Sequence, residues 1–251
     1  MALPKIDLPI FELKVVSLKE PVKFRPFLVK EEKLLLMALQ SDEEDTIIKT
    51  IKQVINNCLV SDIDIDKLPI FDIEYLFLNI RARSIGEKIE TYYVCKNVVG
   101  EEKDENGVDM PVECGHMMPI KVNILEIRPP SLDISTKIMV TDKIGINMVF
   151  PSLQTLKYVE SVIQSDEIEK LFDLIYECSE YIFDSDGMYY TKESDKDEFI
   201  NFLNSLTQEQ FDKITGFFDR LPKIEHDIEH KCEKCGYDHK LHLEGLNDFF
   251  T

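Results

Sequence analysis

A chain of 251 residues, 44% hydrophobic and 31% charged, has the size of one or two domains and can bury a sizeable core. Its net charge of −19 argues against broad binding to a phosphate backbone, which needs clustered Lys and Arg; it suits a solvated surface, or docking against a basic partner. No apolar run approaches the ~20 residues needed to cross a bilayer, and Met1 to Pro9 carries no signal-peptide hydrophobic region, so a cytosolic protein with reduced thiols is expected.

Residues 1–28 read as an extended N-terminal arm. Pro4, Pro9, Pro21 and Pro26 prevent a helix and restrict any strand to an edge. The arm lies along its own domain or reaches a neighbour. Residues 29–88 form an N-terminal helical part. Leu34, Leu35, Met37, Ala38 and Leu39 give one apolar face, and after Gln40-Ser41-Asp42 a second runs through Ile47, Ile48, Ile51, Val54, Ile55 and Cys58. Ser41 or Asp42 suits the N-cap of that second helix. Cys58 continues the apolar stripe and reads as a core thiol.

The acids of Ser61-Asp62-Ile63-Asp64-Ile65-Asp66 resemble the opening of a Ca²⁺ loop. Lys67 stands where the obligatory Gly belongs, and Ile73 where the bidentate Glu belongs, so the stretch reads as a turn. The helix that follows, over 68–87, is apolar on most faces and should be buried on several sides. Gly86 suits its C-cap, and Arg81 and Arg83 should pair with acids of the same chain.

Residues 89–128 read as strand, cysteines, strand. Ile89 to Val94 leads into Cys95, and after Cys114-Gly115 apolar residues recur at every second position, the period of a half-buried strand. Eighteen residues separate Cys95 from Cys114, against the two to four usual in a metal knuckle. They are acidic and Gly-containing, and can be extruded as a surface loop. Pro129-Pro130 then opens an inserted segment, 129–223. Its expected elements are a hairpin turning at Asp142-Lys143-Ile144, helices through Leu153–Ile163 and Ile168–Ile175, and a strand pair bending at Asp186-Gly187. A short helix from Glu198 precedes a capping box, Thr207 with Gln210, whose helix carries Phe211, Ile214, Phe217 and Phe218 towards the core. Cys178 again reads as core.

Residues 224–251 repeat the first pattern. Ile224 to His230 leads into Cys232-Glu233-Lys234-Cys235-Gly236, followed by alternating Leu241 and Leu243. A Cys-x-x-Cys-Gly turn supplies two thiolates to a tetrahedral Zn²⁺, which takes four protein ligands in a structural site. Cys95 and Cys114 are the candidates for the other two. The ligand set expected is therefore Cys95, Cys114, Cys232 and Cys235, with His116 in reserve should Cys95 or Cys114 not bind. The fold class expected is α+β: a mostly helical body carrying a split zinc ribbon made of two β-hairpins brought together from distant parts of the chain.

A Cys₄ site is closed, so its zinc stabilises the fold and supplies no Lewis acidity. A redox Cys-x-x-Cys is the competing reading and predicts one reactive, low-pKa thiol. No Walker loop, Gly-x-Ser-x-Gly or nucleotide-binding glycine fingerprint occurs, so no catalytic residue is assigned and no enzyme is expected. His226 and His230 are expected to face solvent. The tail ends in Phe249-Phe250, which should fold back on the ribbon or dock into a neighbouring subunit.

Four stretches carry a resemblance over nearly the whole chain. They are Phe24-Arg25-Pro26-Phe27 through Lys33; Phe71 to Glu87; Asp142-Lys143-Ile144-Gly145-Ile146 with Phe150-Pro151-Ser152-Leu153; and Phe202 to Phe211 leading to the Cys232 knuckle. In these the sequence resembles the baseplate proteins of T-even-like contractile-tailed bacteriophages, associated with the baseplate hub and its assembly. The resemblance implies a non-enzymatic structural or assembly protein that docks onto other baseplate and tail proteins. It would be found in the host cytoplasm during assembly and in the virion tail baseplate if retained. No small-molecule substrate, membrane or nucleic acid is expected. The alternative is a zinc-ribbon regulatory protein that binds nucleic acid or the transcription machinery, against which the acidic balance counts.

Overall fold

A computed structural model describes residues 6–41, 44–103, 107–163 and 168–245. In chain order its elements begin with β1 (Phe11–Leu13), β2 (Val22–Phe24), α1 (Val29–Ser41), α2 (Glu44–Cys58) and α3 (Ile70–Ser84). There follow β3 (Lys88–Val94), β4 (Val98–Lys103), β5 (Asp109–Glu113), β6 (Met117–Asn123), β7 (Lys137–Met139) and β8 (Gly145–Met148). The remainder is α4 (Leu156–Ile163), α5 (Ile168–Glu177), β9 (Ser179–Phe183), β10 (Met188–Tyr190), α6 (Lys196–Asn204), α7 (Gln208–Asp219), β11 (Glu225–Lys231) and β12 (Asp238–Glu244). The architecture is mixed α+β, with small antiparallel sheets as prominent as the helices expected to dominate. The chain forms two compact units, one from residues 1–62, 74–130 and 223–251, the other from 63–73 and 131–222.

In the first unit the N-terminal arm lies along its own body. β1 and β2 pair with Phe11 opposite Phe24. The Arg25 N–H donates to the Cys58 carbonyl at 2.8 Å and the Val60 N–H to the Lys23 carbonyl at 2.8 Å, which ties the arm to the end of α2. Val15, Val22 and Phe24 are buried by this docking, and so is Cys58, whose thiol is pushed up to about 11 by burial.

Glu31 works as the start of α1 requires. Its carboxylate reaches back to the Leu28 N–H at 2.9 Å, filling an orphan donor of the first turn, and also meets Arg25 Nη2 at 3.1 Å and Lys30 Nζ at 3.4 Å. The side chain is fully buried. Burial alone would raise its pKa; the Leu28 N–H and the Arg25 guanidinium outweigh this and hold it below the ordinary carboxylate value. The apolar face expected of α1 is only partly covered: Ala38 is buried, while Met37 and Leu39 are exposed. Ser41 ends α1, its hydroxyl donating to the Ala38 carbonyl at 2.7 Å; Asp42, the other cap expected for α2, lies outside the described residues.

The core of the first unit sits beneath two hairpins. β3 and β6 pair antiparallel from Lys88↔Asn123 to Val94↔Met117, and β11 and β12 from Glu225↔Glu244 to Lys231↔Asp238. Because side chains alternate along a strand, Met118, Ile120 and Val122 turn inward together, as does Leu241 from β12. They join Leu78 and Ala82 of α3 in one cluster, into which Cys95, Cys114 and Cys232 also project.

The second unit has a core of a different kind. Its four-stranded sheet has the order β10-β9-β8-β7, and β8 is buried along its whole length. Gly145 is required there: an added Cβ would meet the Phe183 ring at 2.3 Å. Phe172, Phe199, Phe211 and Phe217 fill the space between sheet and helices, with Cys178 buried beside them. The expected local signals hold. Thr207 and Gln210 form the reciprocal capping box of α7. Thr141 Oγ1 accepts from the Lys143 and Ile144 N–H groups in the β7–β8 turn. Asp64 caps a short 3-10 turn over Ile65–Lys67, the conformation expected once the Ca²⁺ loop is set aside.

Candidate metal centre

The thiols of Cys95, Cys114, Cys232 and Cys235 lie within 4.8 Å of one another. They arrive by two equivalent turns. Gly236 adopts φ 75° and donates its N–H to the Cys232 carbonyl at 2.8 Å, while the Cys232 N–H donates to the Tyr237 carbonyl at 2.8 Å. In the other half Gly115 adopts φ 63° and donates its N–H to the Cys95 carbonyl at 3.0 Å, while the Cys95 N–H donates to the His116 carbonyl at 2.8 Å. Both glycines occupy the left-handed region that L side chains rarely adopt, which is why Cys-Gly stands in both halves.

The long separation of Cys95 from Cys114 resolves structurally. The intervening residues are not an irregular loop, since β4 and β5 pair as a second hairpin growing from the cysteine turn. The Cys114 N–H donates to the Asn97 carbonyl at 2.8 Å, so the ladder runs from β3–β6 through the cysteines into β4–β5. Cross-strand pairing thus brings the two thiols together as sequence proximity does for Cys232 and Cys235.

The geometry fits a tetrahedral ion. Cys95 Sγ and Cys235 Sγ are 3.6 Å apart, and Cys114 Sγ and Cys232 Sγ 3.9 Å. A tetrahedron of sulfurs around Zn²⁺ with bonds of about 2.3 Å has an edge of about 3.8 Å. Donors surround the sulfurs. Backbone N–H groups point at each: Asn97 at Cys95, His116 at Cys114, Lys234 and Cys235 at Cys232, and Tyr237 at Cys235. Asn97 Nδ2 donates to Cys235 Sγ at 3.6 Å, and His239 Nε2 lies 3.1 Å from Cys95 Sγ.

The thiols do not titrate alike. Burial pushes Cys95 up to about 12 and also raises Cys114. Cys235 falls to about 7 because the Tyr237 N–H favours its thiolate. Burial works to raise Cys232, but the Cys235 and Lys234 N–H groups outweigh it and the thiol is lowered. Four sulfurs this close cannot all carry negative charge without a cation among them. The group could therefore hold a metal ion.

His116, the reserve ligand, is half-buried and outside this group; its carbonyl, not its ring, serves the turn. The histidine that approaches the thiols is His239, which sequence reasoning did not single out. The available signal was its strand parity: it lies two residues before the buried Leu241 on the inward face of β12. Its ring packs edge-on to Tyr237 and Tyr93. The expectation that His226 and His230 face solvent fails for the same reason, since both share the half-buried face of Ile228. The outward face instead carries a ladder of charges, with His242 Nδ1 2.7 Å from Asp227 and Lys240 3.8 Å from Glu229. Phe249 and Phe250 lie outside the described residues.

No helix among the described residues is long and apolar enough to cross a membrane. No curated protein and no solved structure matches the chain. A family model for the T4 bacteriophage base plate protein, in contrast, matches residues 8–251. That span takes in both hairpins and everything between them, so the chain belongs to the T4 bacteriophage base plate protein family.

Proposed function

We propose that the protein is a non-enzymatic structural or assembly component of the baseplate hub region, and that one Zn²⁺ held by Cys95, Cys114, Cys232 and Cys235 fixes the surface by which it docks onto other tail proteins. One observation carries the reading. Two turns more than a hundred residues apart in the chain converge their four thiols with the spacing of a closed tetrahedral site. Four thiolate ligands leave no open position for water or substrate, so the ion supplies folding free energy and shape. On this reading residues 89–128 and 224–251 are the two halves of a split zinc ribbon, and 129–223 is an insert between them. The protein works in the host cytoplasm during assembly and enters the tail baseplate if retained.

Membership of a baseplate family supports tail proteins as partners. The net charge of −19 disfavours nucleic acid, the partner of the alternative zinc-ribbon regulator. Elemental analysis of freshly purified protein should find one zinc per chain, and its absence refutes the site. Co-expression with the other baseplate proteins of the same phage should give a stable complex. A chain that stays alone in every combination refutes the docking role.

A further inference from the structure

The hairpin β4–β5 is not accounted for by the metal centre it grows from. Among the described residues it has no third strand, and every residue of its two strands is exposed except Val112, which is half-buried. A two-stranded hairpin exposed on both faces is marginal in water by itself. It is nonetheless rich in apolar side chains, with Val98, Val99 and Met110 each 53% exposed. In the strands and turns around the thiols from which it grows, Tyr92, Met117 and Tyr237 are exposed as well. A surface of this kind marks an interaction site.

Charge limits what can cover it. Residues 98–113 hold six carboxylates, at Glu101, Glu102, Asp104, Glu105, Asp109 and Glu113, against the single cation of Lys103. Nucleic acid and an anionic lipid surface are repelled by that balance. A second copy of the chain would bring the same acidic strands together, which costs free energy for like charges at an interface. What remains is a different protein with an apolar centre and a basic rim.

We propose that the β4–β5 hairpin is the docking arm of this protein, inserted against a basic-rimmed apolar face of another baseplate protein, with its base held by the thiol cluster. This rests on the docking role proposed above and names the surface that performs it. Pro111 in β5 and the irregular register between Val98 and Gly100 interrupt the ladder, features that keep exposed edges from pairing indiscriminately with other strands. The arm is thus suited to side-chain recognition.

The test uses the full-length zinc-loaded chain, co-expressed with the baseplate proteins of the same phage. One variant combines Val98→Ser, Val99→Ser and Met110→Ser; another combines Glu101→Lys and Glu102→Lys. All five positions are exposed, so zinc content and melting temperature should match the parent. The serine variant should lose at least ten-fold in affinity for the identified partner. The lysine variant should lose a similar factor and show a flatter salt dependence, because the attraction to a basic rim is gone. A photo-crosslinker at position 99 should capture that partner at a site bordered by Lys and Arg. If the parent binds and both variants bind equally well, the arm is overturned while the docking role stands. If the parent itself binds no baseplate protein, both fall.

Discussion

The cores of the two units are built from different residues. In the second, four phenylalanines and a fully buried strand form a dry core, the type in which burial of apolar area supplies the driving force. In the first, the cluster beneath the hairpins spends three of its buried positions on Cys95, Cys114 and Cys232, and the strands above it are exposed on one face or both. If the four thiols hold the proposed Zn²⁺, the ion adds its binding free energy to that burial. On the zinc proposal, one unit should tolerate loss of metal and the other should not.

The largest expected effect separates them directly. Cys232→Ser or Cys95→Ser should abolish zinc binding and loosen β3–β6 and β11–β12, because structural sites contribute on the order of 10 kcal/mol in small zinc peptides. Hydrogen exchange should rise across residues 89–124 and 224–244 and stay low in β8 and α7. Uniform loss of protection would break the comparison. Phe217→Ala addresses the other unit: the ring is fully buried and stacked on Phe150 at 5.6 Å, and its removal should cost about 3–5 kcal/mol. The variant should keep its zinc by elemental analysis.

A smaller effect is expected at the N-terminal arm. Arg25→Ala leaves the buried Glu31 carboxylate without its guanidinium and should cost about 3 kcal/mol by chemical denaturation, less if water enters. Glu31 also sets a pH dependence. Its folded pKa lies below the ordinary 4.5, so its contribution is present above pH 4.5 and lost as pH falls through the lower folded value. Glu31→Gln should flatten the stability profile in that acid range. The smallest effect belongs to His242, raised above 6.5 first by its hydrogen bond with Asp227. A raised histidine contributes fully below pH 6.5, and that contribution disappears as pH rises through the folded value. NMR titration should place its midpoint above that of His242 in an Asp227→Asn variant, with little change in melting temperature because the pair is exposed.

Much of the fold was legible where the signal is local. The capping box at Thr207 and Gln210, the turn at Asp142-Lys143-Ile144 and the core placement of Cys58 and Cys178 depend on spacings of a few residues, and the structure reproduces them. The errors also have local causes. His226 and His230 share the parity of Ile228, so strand alternation itself places them on the inward face. Met37 and Leu39 show that apolar periodicity names a face without guaranteeing that anything covers it. The stretch between Cys95 and Cys114 read as a loop because its acids, glycines and Pro111 lower strand propensity; pairing across the hairpin overrode that preference.

By itself the sequence determined the two Cys-Gly turns, the strand periods around them and the acidity that restricts the choice of partners. These follow from backbone sterics, side-chain alternation and charge, all of which act over a few residues or by simple sum. The repeated pattern also pointed to the two turns meeting; only the tertiary structure decided that His239 and not His116 stands beside the thiols, and that β4–β5 projects from them with its apolar side chains uncovered. Those outcomes depend on which surfaces bury one another across more than a hundred residues of chain, and no short-range pattern encodes that pairing.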